Sequence, residues 1–289
     1  MKTLFFVAGI ALSALTPAHA DIVAQWDFEN HLTDAGPSGY DGVGVFGGVR
    51  FIGTGDNQYG YFNNDGGFAV PMYYDSALSS LSLSVWFKSD YTTPEYDYYG
   101  EMSQPGFSYD QTWQDYVNFG MLDFDRSDYY SLTMTGNGEI MFSLATAASG
   151  SKVIHDYVID SPLRYNDNAW HKVNVEYDAI NGLNVYADGI RILSEAYIGD
   201  IGGLSTRYGY IGDGSEAESF AANQNLNFYQ GALDNITIYD GVQGEQAVID
   251  SFESEQYLFA DVPTPIAIGS LALLMIGVRR ANHRRSLMH

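Results

Sequence analysis

Carboxylates are the residues in this sequence best placed to do chemistry. Asp27 and Glu29 close the first stretch of alternating apolar residues, and Asp234 stands within the last, QGALDNITIYD at 230–240. Asp234 shares parity with Ile236 and Ile238, which predicts that it points to the apolar side of its strand. A carboxylate there needs either a cation or several hydrogen-bond donors to offset its desolvation. Hard oxygen ligands drawn from Asp27, Glu29 and Asp234 suit Ca²⁺ in a structural role. The alternative is an Asp234 that only accepts backbone hydrogen bonds. An EF-hand is excluded, because the count from Asp123 ends on Met134 where that loop needs glutamate.

A second constellation lies at 90–130, where the regular pattern lapses except for one strand expected near Val117–Leu122, and eight tyrosines gather among aspartates. Tyrosine and tryptophan faces stack on sugar rings, and carboxylates orient hydroxyls. Tyr98, Tyr99, Tyr109 and Trp113 beside Asp97 and Asp110 therefore form a candidate glycan site. The competing reading has these tyrosines packing an insertion onto a sheet while the aspartates face water.

Other chemistries find no support. The only candidate acidic run, Asp123-Phe124-Asp125-Arg126-Ser127-Asp128, contains no glutamate and reads as a solvated loop. No Gly-x-Ser-x-Gly elbow or phosphate-binding glycine loop is present, so no catalytic residue is assigned. Between the two ends of the chain only His31, His155 and His171 remain, widely spaced and without any cysteine, which argues against zinc. His171, at the start of a strand, reads as a hydrogen-bonded structural residue. Residues 21–261 hold all 36 acidic and 8 of the 13 basic residues, a net charge of −28. A surface so acidic disfavours nucleic acid and favours cations and neutral partners.

The elements that must position these residues are strands. Val173, Val175 and Tyr177 alternate with Lys172, Asn174 and Glu176; Leu183, Val185 and Ala187 repeat the pattern; and Asp188-Gly189 supplies a tight turn before Ile190 and Ile192. Similar alternation marks 22–28, 81–88, 131–135, 139–146 and 230–240, with further short runs between. Residues 244–252 form the one helix the pattern predicts inside the domain, with Val248 and Phe252 on one face. The fold expected is all-β, a two-sheet antiparallel sandwich.

Four segments, taken in order, resemble the laminin G-like branch of the concanavalin A-like lectin/glucanase superfamily. They are Trp26-Asp27-Phe28-Glu29 through Asp34 and Asp41-Gly42; Leu83–Lys88 around Trp86; Trp170-His171-Lys172-Val173 through Asp188-Gly189; and Gly231–Tyr239. The resemblance covers 21–258 and implies a jelly roll whose first and last strands lie close together, which would bring Asp27 and Glu29 toward Asp234. Glucanases of that superfamily carry a Glu-x-Asp-x-x-Glu strand, and nothing here matches it.

The ends read as sorting signals. Lys2, an apolar run from Leu4 to Leu15 and Ala18-His19-Ala20 fit a secretory signal at 1–20, cleaved between Ala20 and Asp21. At 259–289, Val262-Pro263-Thr264-Pro265 precedes an uncharged run from Ile266 to Val278 and a cluster begun by Arg279 and Arg280. That order resembles the PEP-CTERM tail of Gram-negative bacteria, with a short hydrophobic helix. The resemblance implies transient inner-membrane association and an exosortase-type protease as partner, with Val-Pro-Thr-Pro in place of the commoner Val-Pro-Glu-Pro. A permanent inner-membrane anchor is the alternative. The expectation is an exported, extracellular or cell-surface binding module of the polysaccharide or biofilm matrix. A carbohydrate-active enzyme on the same fold and a structural matrix protein without a discrete ligand are the alternatives.

Overall fold

The computed structural model describes residues 20–55, 57–63, 66–72, 74, 76–89, 118–124, 129–135, 138–148, 151–160, 163–202, 209–212, 229–259 and 277–281. The strands, in chain order, are β1 (Ile22–Trp26), β2 (Val43–Phe46), β3 (Arg50–Gly53), β4 (Gln58–Asn63), β5 (Gly66–Val70), β6 (Ser80–Lys88), β7 (Asn118–Phe124) and β8 (Tyr130–Thr135). They continue with β9 (Ile140–Ala148), β10 (Ser151–Asp160), β11 (His171–Asp178), β12 (Gly182–Ala187), β13 (Ile190–Glu195), β14 (Gly209–Ile211), β15 (Gln230–Tyr239) and β16 (Gly277–Ala281). Helix α1 (Glu245–Glu255) runs into a 3-10 turn at Gln256–Leu258.

Sheet I has the order β13-β12-β11-β6-β15-β4-β3, with β1 also paired to β15. Sheet II has the order β16-β10-β9-β8-β7-β14-β5-β2. Neighbouring strands are antiparallel throughout, so the expected two-sheet sandwich is what the chain forms. One edge of β15 is shared: β4 pairs with Gln230–Leu233, and β1 pairs with Ile236–Tyr239.

The core lies between the sheets. Val173, Val175 and Tyr177 of β11 and Leu81, Leu83, Val85 and Phe87 of β6 meet Leu132, Met134, Phe142 and Leu144 of sheet II within one buried cluster. Phe62 of β4 stacks on Phe68 of β5 at 6.4 Å, and Phe28 meets both rings edge-on. Each such side chain taken out of water contributes about 1.5–3 kcal/mol. Near the entry to the core, Asp34 knots the loop after β1. Its Oδ1 accepts from Gln25 N and Gly36 N at 2.8 and 2.7 Å, and its Oδ2 accepts from Tyr40 N at 2.8 Å. A side chain at Gly36 would run into that carboxylate and the Ala24 backbone, which explains the glycine.

Two expectations change, and the tail adds a strand. The polar parity of β11 does not face water: Lys172 is 1% and Glu176 4% exposed, because α1 lies across that side of sheet I. The strand expected near Val117–Leu122 is β7, an integral strand between β8 and β14, and it runs on through Asp123, which is 2% exposed within it rather than part of a solvated loop. In the tail, Gly277–Ala281 forms an edge strand against β10, with Arg279 and Arg280 opposite Val158 and Tyr157, and the short hydrophobic helix expected before them falls outside the described residues. Unpaired N–H and C=O groups on the β10 edge are a template for such pairing. Residues 260–276 lie outside the described residues.

Candidate functional site

The sandwich has two outer faces, and they differ in chemistry. On sheet I the outer face is sealed by α1 and the turn after it. The Trp86 ring lies between Phe252 at 5.7 Å and Phe259 at 4.1 Å, both nearly parallel to it, and Phe259 also meets Trp170 at 4.9 Å. Polar bonds fix both ends of the helix. Glu176 Oε1 accepts from Gln243 N and Gly244 N at 2.7 Å each, which places a carboxylate at the helix N-terminus. At the other end Glu255 Oε2 accepts from Trp86 Nε1 at 2.6 Å and from Lys172 Nζ at 2.8 Å, and Lys172 also donates to Ser251 Oγ at 2.6 Å. Burial lowers the Lys172 ammonium from its ordinary range, and Glu255 opposes that shift.

The outer face of sheet II is built otherwise. Leu122, Tyr130, Leu132, Phe142 and Tyr157 fill the core, so the residues alternating with them point away from it. Register places Tyr210, Asp123, Ser131, Ser143 and Asp156 in one row across β14, β7, β8, β9 and β10. Four strand spacings make that row roughly 19 Å long. Ser143 Oγ donates to Asp156 Oδ1 at 2.6 Å. Thr133 and Met141 form the next row along the same strands. Asp123, Ser131, Thr133 and Ser143 are all buried, and Ser131 Oγ and Thr133 Oγ1 have no hydrogen-bond partner among the described residues. A buried, unmade hydroxyl bond costs about 1–3 kcal/mol. The sequence reading missed this row. Its signal was the alternation of Ser131, Thr133 and Thr135 with apolar residues, which resembles any half-exposed strand.

Asp27 and Glu29 lie near enough to Asp234 to act on its charge, at the junction where β1 and β4 share the edge of β15. Asp234 nevertheless faces the other way from the side its parity predicts. Asn235 adopts φ 45° at a bulge between Asp234 and Thr237, so Ile236 and Ile238 enter the core while Asp234 turns outward. It stays buried, at 7% exposure. Burial pushes its carboxyl up to about 8; the Asn235 N–H opposes that, and Glu29, Asp27 and Glu255 add to it. Phe28 and Asn30, at φ 55° and 64°, flank Glu29. Glu29 Oε1 accepts from Gln58 N at 3.2 Å, while its Oε2 is buried and unpartnered. Among the described residues, no three His, Cys, Asp or Glu side chains converge closely enough to hold a metal ion. Asp27, Glu29 and Asp234 supply the oxygen donors that Ca²⁺ takes, but they would have to close inward to bind it.

His171 has the structural bonding expected of it. Its Nδ1 meets Asp188 Oδ2 at 2.8 Å and its Nε2 meets Asp167 Oδ1 at 3.0 Å. Burial opposes the charged ring, but the two aspartates outweigh it and raise its pKa. Tyr98, Tyr99, Tyr109, Trp113, Asp97 and Asp110 lie outside the described residues, as do Val262, Pro263 and Pro265. Ala20 and Asp21 lead directly into β1, and Asp21 N donates to Asp240 Oδ1 at 2.9 Å.

A two-sheet antiparallel sandwich of this topology is a concanavalin A-like fold. Residues 62–248 match Laminin_G_3, described as "Concanavalin A-like lectin/glucanases superfamily", and the chain belongs to that family. No curated protein shows significant similarity to the sequence. Among solved structures, the chain is similar to domain 4 of AbnA, a GH43 extracellular arabinanase from Geobacillus stearothermophilus, in complex with arabinotriose. That likeness has a TM-score of 0.53 at 14% identity and covers 80% of this chain and 98% of the domain. The binding domain of Paraclostridial Mosquitocidal Protein 1 gives a TM-score of 0.58 at 15% identity over 81% of this chain. A botulinum neurotoxin type C structure, described by cell entry dependent on two ganglioside molecules, gives 0.52 at 15% identity over 82% of this chain. The chain spans about half of each toxin structure, 52% in both cases.

Proposed function

We propose that this protein is a non-enzymatic binding module for extracellular glycan. The observation that carries the reading is the row on the face of the sandwich opposite to α1, where Tyr210 and Asp156 at its two ends are half-buried and Asp123, Ser131 and Ser143 between them are buried. Tyrosine faces and carboxylates bind sugars, and the arabinotriose and ganglioside named for similar structures are ligands of that chemical kind. The aromatic residues at 98–113 would add stacking platforms. Asp27, Glu29 and Asp234 would hold a structural Ca²⁺, supported by the raised Asp234 carboxyl and the unpartnered Glu29 Oε2.

The reading extends to sorting. The signal at 1–20 would export the chain, and an exosortase-type protease would process the tail near Val262–Pro265, leaving the module outside the cell. Pairing of β16 with β10 and insertion of the run Ile266–Val278 into a bilayer, with Arg279 and Arg280 on its far side, exclude one another, so membrane fractionation tests which holds. A glycan array with the purified full-length protein, run in calcium and in EGTA, tests the binding. Saturable binding weakened by Tyr99→Ala or Trp113→Ala is the expected result. A folded protein that binds no glycan refutes the reading and leaves the structural matrix role.

A further inference from the structure

The layer that seals sheet I ends at β4. Tyr59 is the last residue packed against it, meeting Trp170 edge-on at 5.3 Å. Gly60 and Phe62 face the core, so Tyr59 and Tyr61 point outward from the same strand, about 7 Å apart. Both are half-buried, and register sets Ile52 and Arg50 of β3 across from them, both exposed. On the other side of Tyr61 the row continues through Ala232 of β15 to Lys88 of β6. Arg50 and Lys88 thus stand about 14 Å apart in one row, with a phenol between them. Cations are scarce in this span, where 8 face 36 acidic residues. Among the described residues, Arg164, Lys172 and Arg191 each pair with a glutamate, whereas Arg50 has no carboxylate partner.

We infer that this strip of sheet I is a second glycan site, separate from the sheet II row, and that it takes a sugar chain bearing isolated carboxylates. It goes beyond the glycan reading above, which rests on the opposite face. One pyranose ring lies with its apolar side on Tyr61, and Tyr59 with Ile52 carries the next. A uronate carboxyl on the first ring takes two parallel bonds from the Arg50 guanidinium, a planar fork matched to that group. Lys88 adds a point charge at the far end of the row. Isolated carboxylates, rather than a polyanion, follow from the net charge of −28. At physiological ionic strength charges beyond about 8 Å are largely screened, so a single carboxylate feels Arg50 first. A densely charged chain would also meet the acidic surface around the strip. Each side chain invoked reaches the surface as the chain stands, so binding needs no opening of the fold.

The test compares the full-length protein with Arg50→Gln, Arg50→Lys and Tyr61→Thr, with melting temperature recorded for each. The probes are xylotriose carrying one glucuronate, the methyl ester of that sugar, and bare xylotriose, measured by titration calorimetry. The wild type should bind the free acid at least about tenfold more tightly than its ester. Arg50→Gln should abolish that preference without moving the melting temperature, because the side chain is exposed. Arg50→Lys should keep only part of it, having lost the fork. Tyr61→Thr should weaken acid and ester alike, and the Arg50 variants carry the test whatever that change does to folding. Equal affinity of the wild type for acid and ester, or a preference that survives Arg50→Gln, overturns the site. Self-association that Arg50→Gln abolishes, seen by sedimentation in place of acid binding, makes the strip a contact between copies and overturns it too. A glycan array positive for neutral sugars alone removes this site and leaves the binding module of the opposite face.

Discussion

Asp234 and Trp86 are register partners on adjacent strands, so the most strongly shifted carboxyl in the outer layer lies beside the tryptophan that anchors the helix. Glu255 joins the two, accepting from the Trp86 indole and adding its charge to the field at Asp234. The acidic cluster and the helix clasp are therefore one connected unit.

Asp234→Asn keeps the shape and removes the charge. The folded carboxyl, at about 8, lies above the ordinary 3.8, so the folded state holds the proton more tightly. Its stabilising effect is complete below the ordinary value and is lost as pH rises toward the folded one. In EGTA the wild type should lose stability between about pH 4 and about pH 8, and the variant should not. At neutral pH without calcium the variant should be more stable by about 1–3 kcal/mol. With calcium the order should reverse, because only the wild type can use the ion. Thermal melts in both conditions check this, and a wild type indifferent to calcium removes the ion from the account.

His171 should give pH dependence through its own pair of carboxylates. Its pKa is raised, so the stabilisation is fully present below the ordinary 6.5 and disappears as pH climbs through the folded value. His171→Gln should be less stable than wild type at pH 6 and converge toward it in alkali. Urea melts across that range measure the difference, and parallel curves would mean the ring is neutral.

Phe259 closes the outer layer of sheet I. Phe259→Ala should cost about 3–5 kcal/mol and shift tryptophan fluorescence to the red. Both truncations, after Ala260 and after Leu258, remove β16, so the second should be less stable than the first by the cost of the alanine variant. Equal stability of the two truncations would show that the ring contributes little.

If the tail is processed, secreted protein should end close to Val262 and begin at Asp21. The new α-ammonium would then pair with Asp240, whose Oδ1 already accepts from that nitrogen. Intact mass of the secreted form and immunoblots of membrane fractions measure both ends. Full-length protein confined to the inner membrane would establish an anchor instead.

Much of the fold was legible because period-two alternation survives where one face of a strand meets the core. Val173, Val175 and Tyr177 are buried as their parity requires, and α1 begins one residue after its expected start. What escaped was non-local. Lys172 and Glu176 read as solvent-facing until a helix some 70 residues later lies over them. Asp234 kept its expected burial but changed faces, because a single left-handed asparagine at 235 reverses parity and no hydrophobic count registers it. The sheet II row needed the register of five strands, which no one segment contains.

The stacking of Phe259 on Trp86 also sets the length of a tether. Only Ala260 and Asp261 lie between that ring and Val262, so at most about 10 Å of chain joins the sandwich to the processing motif. With the tail in a bilayer, a body of net charge −28 would be held at the headgroups, and anionic lipid would repel it at that range. Cutting the tether would then release the module along its own electrostatic gradient, without any change in its fold.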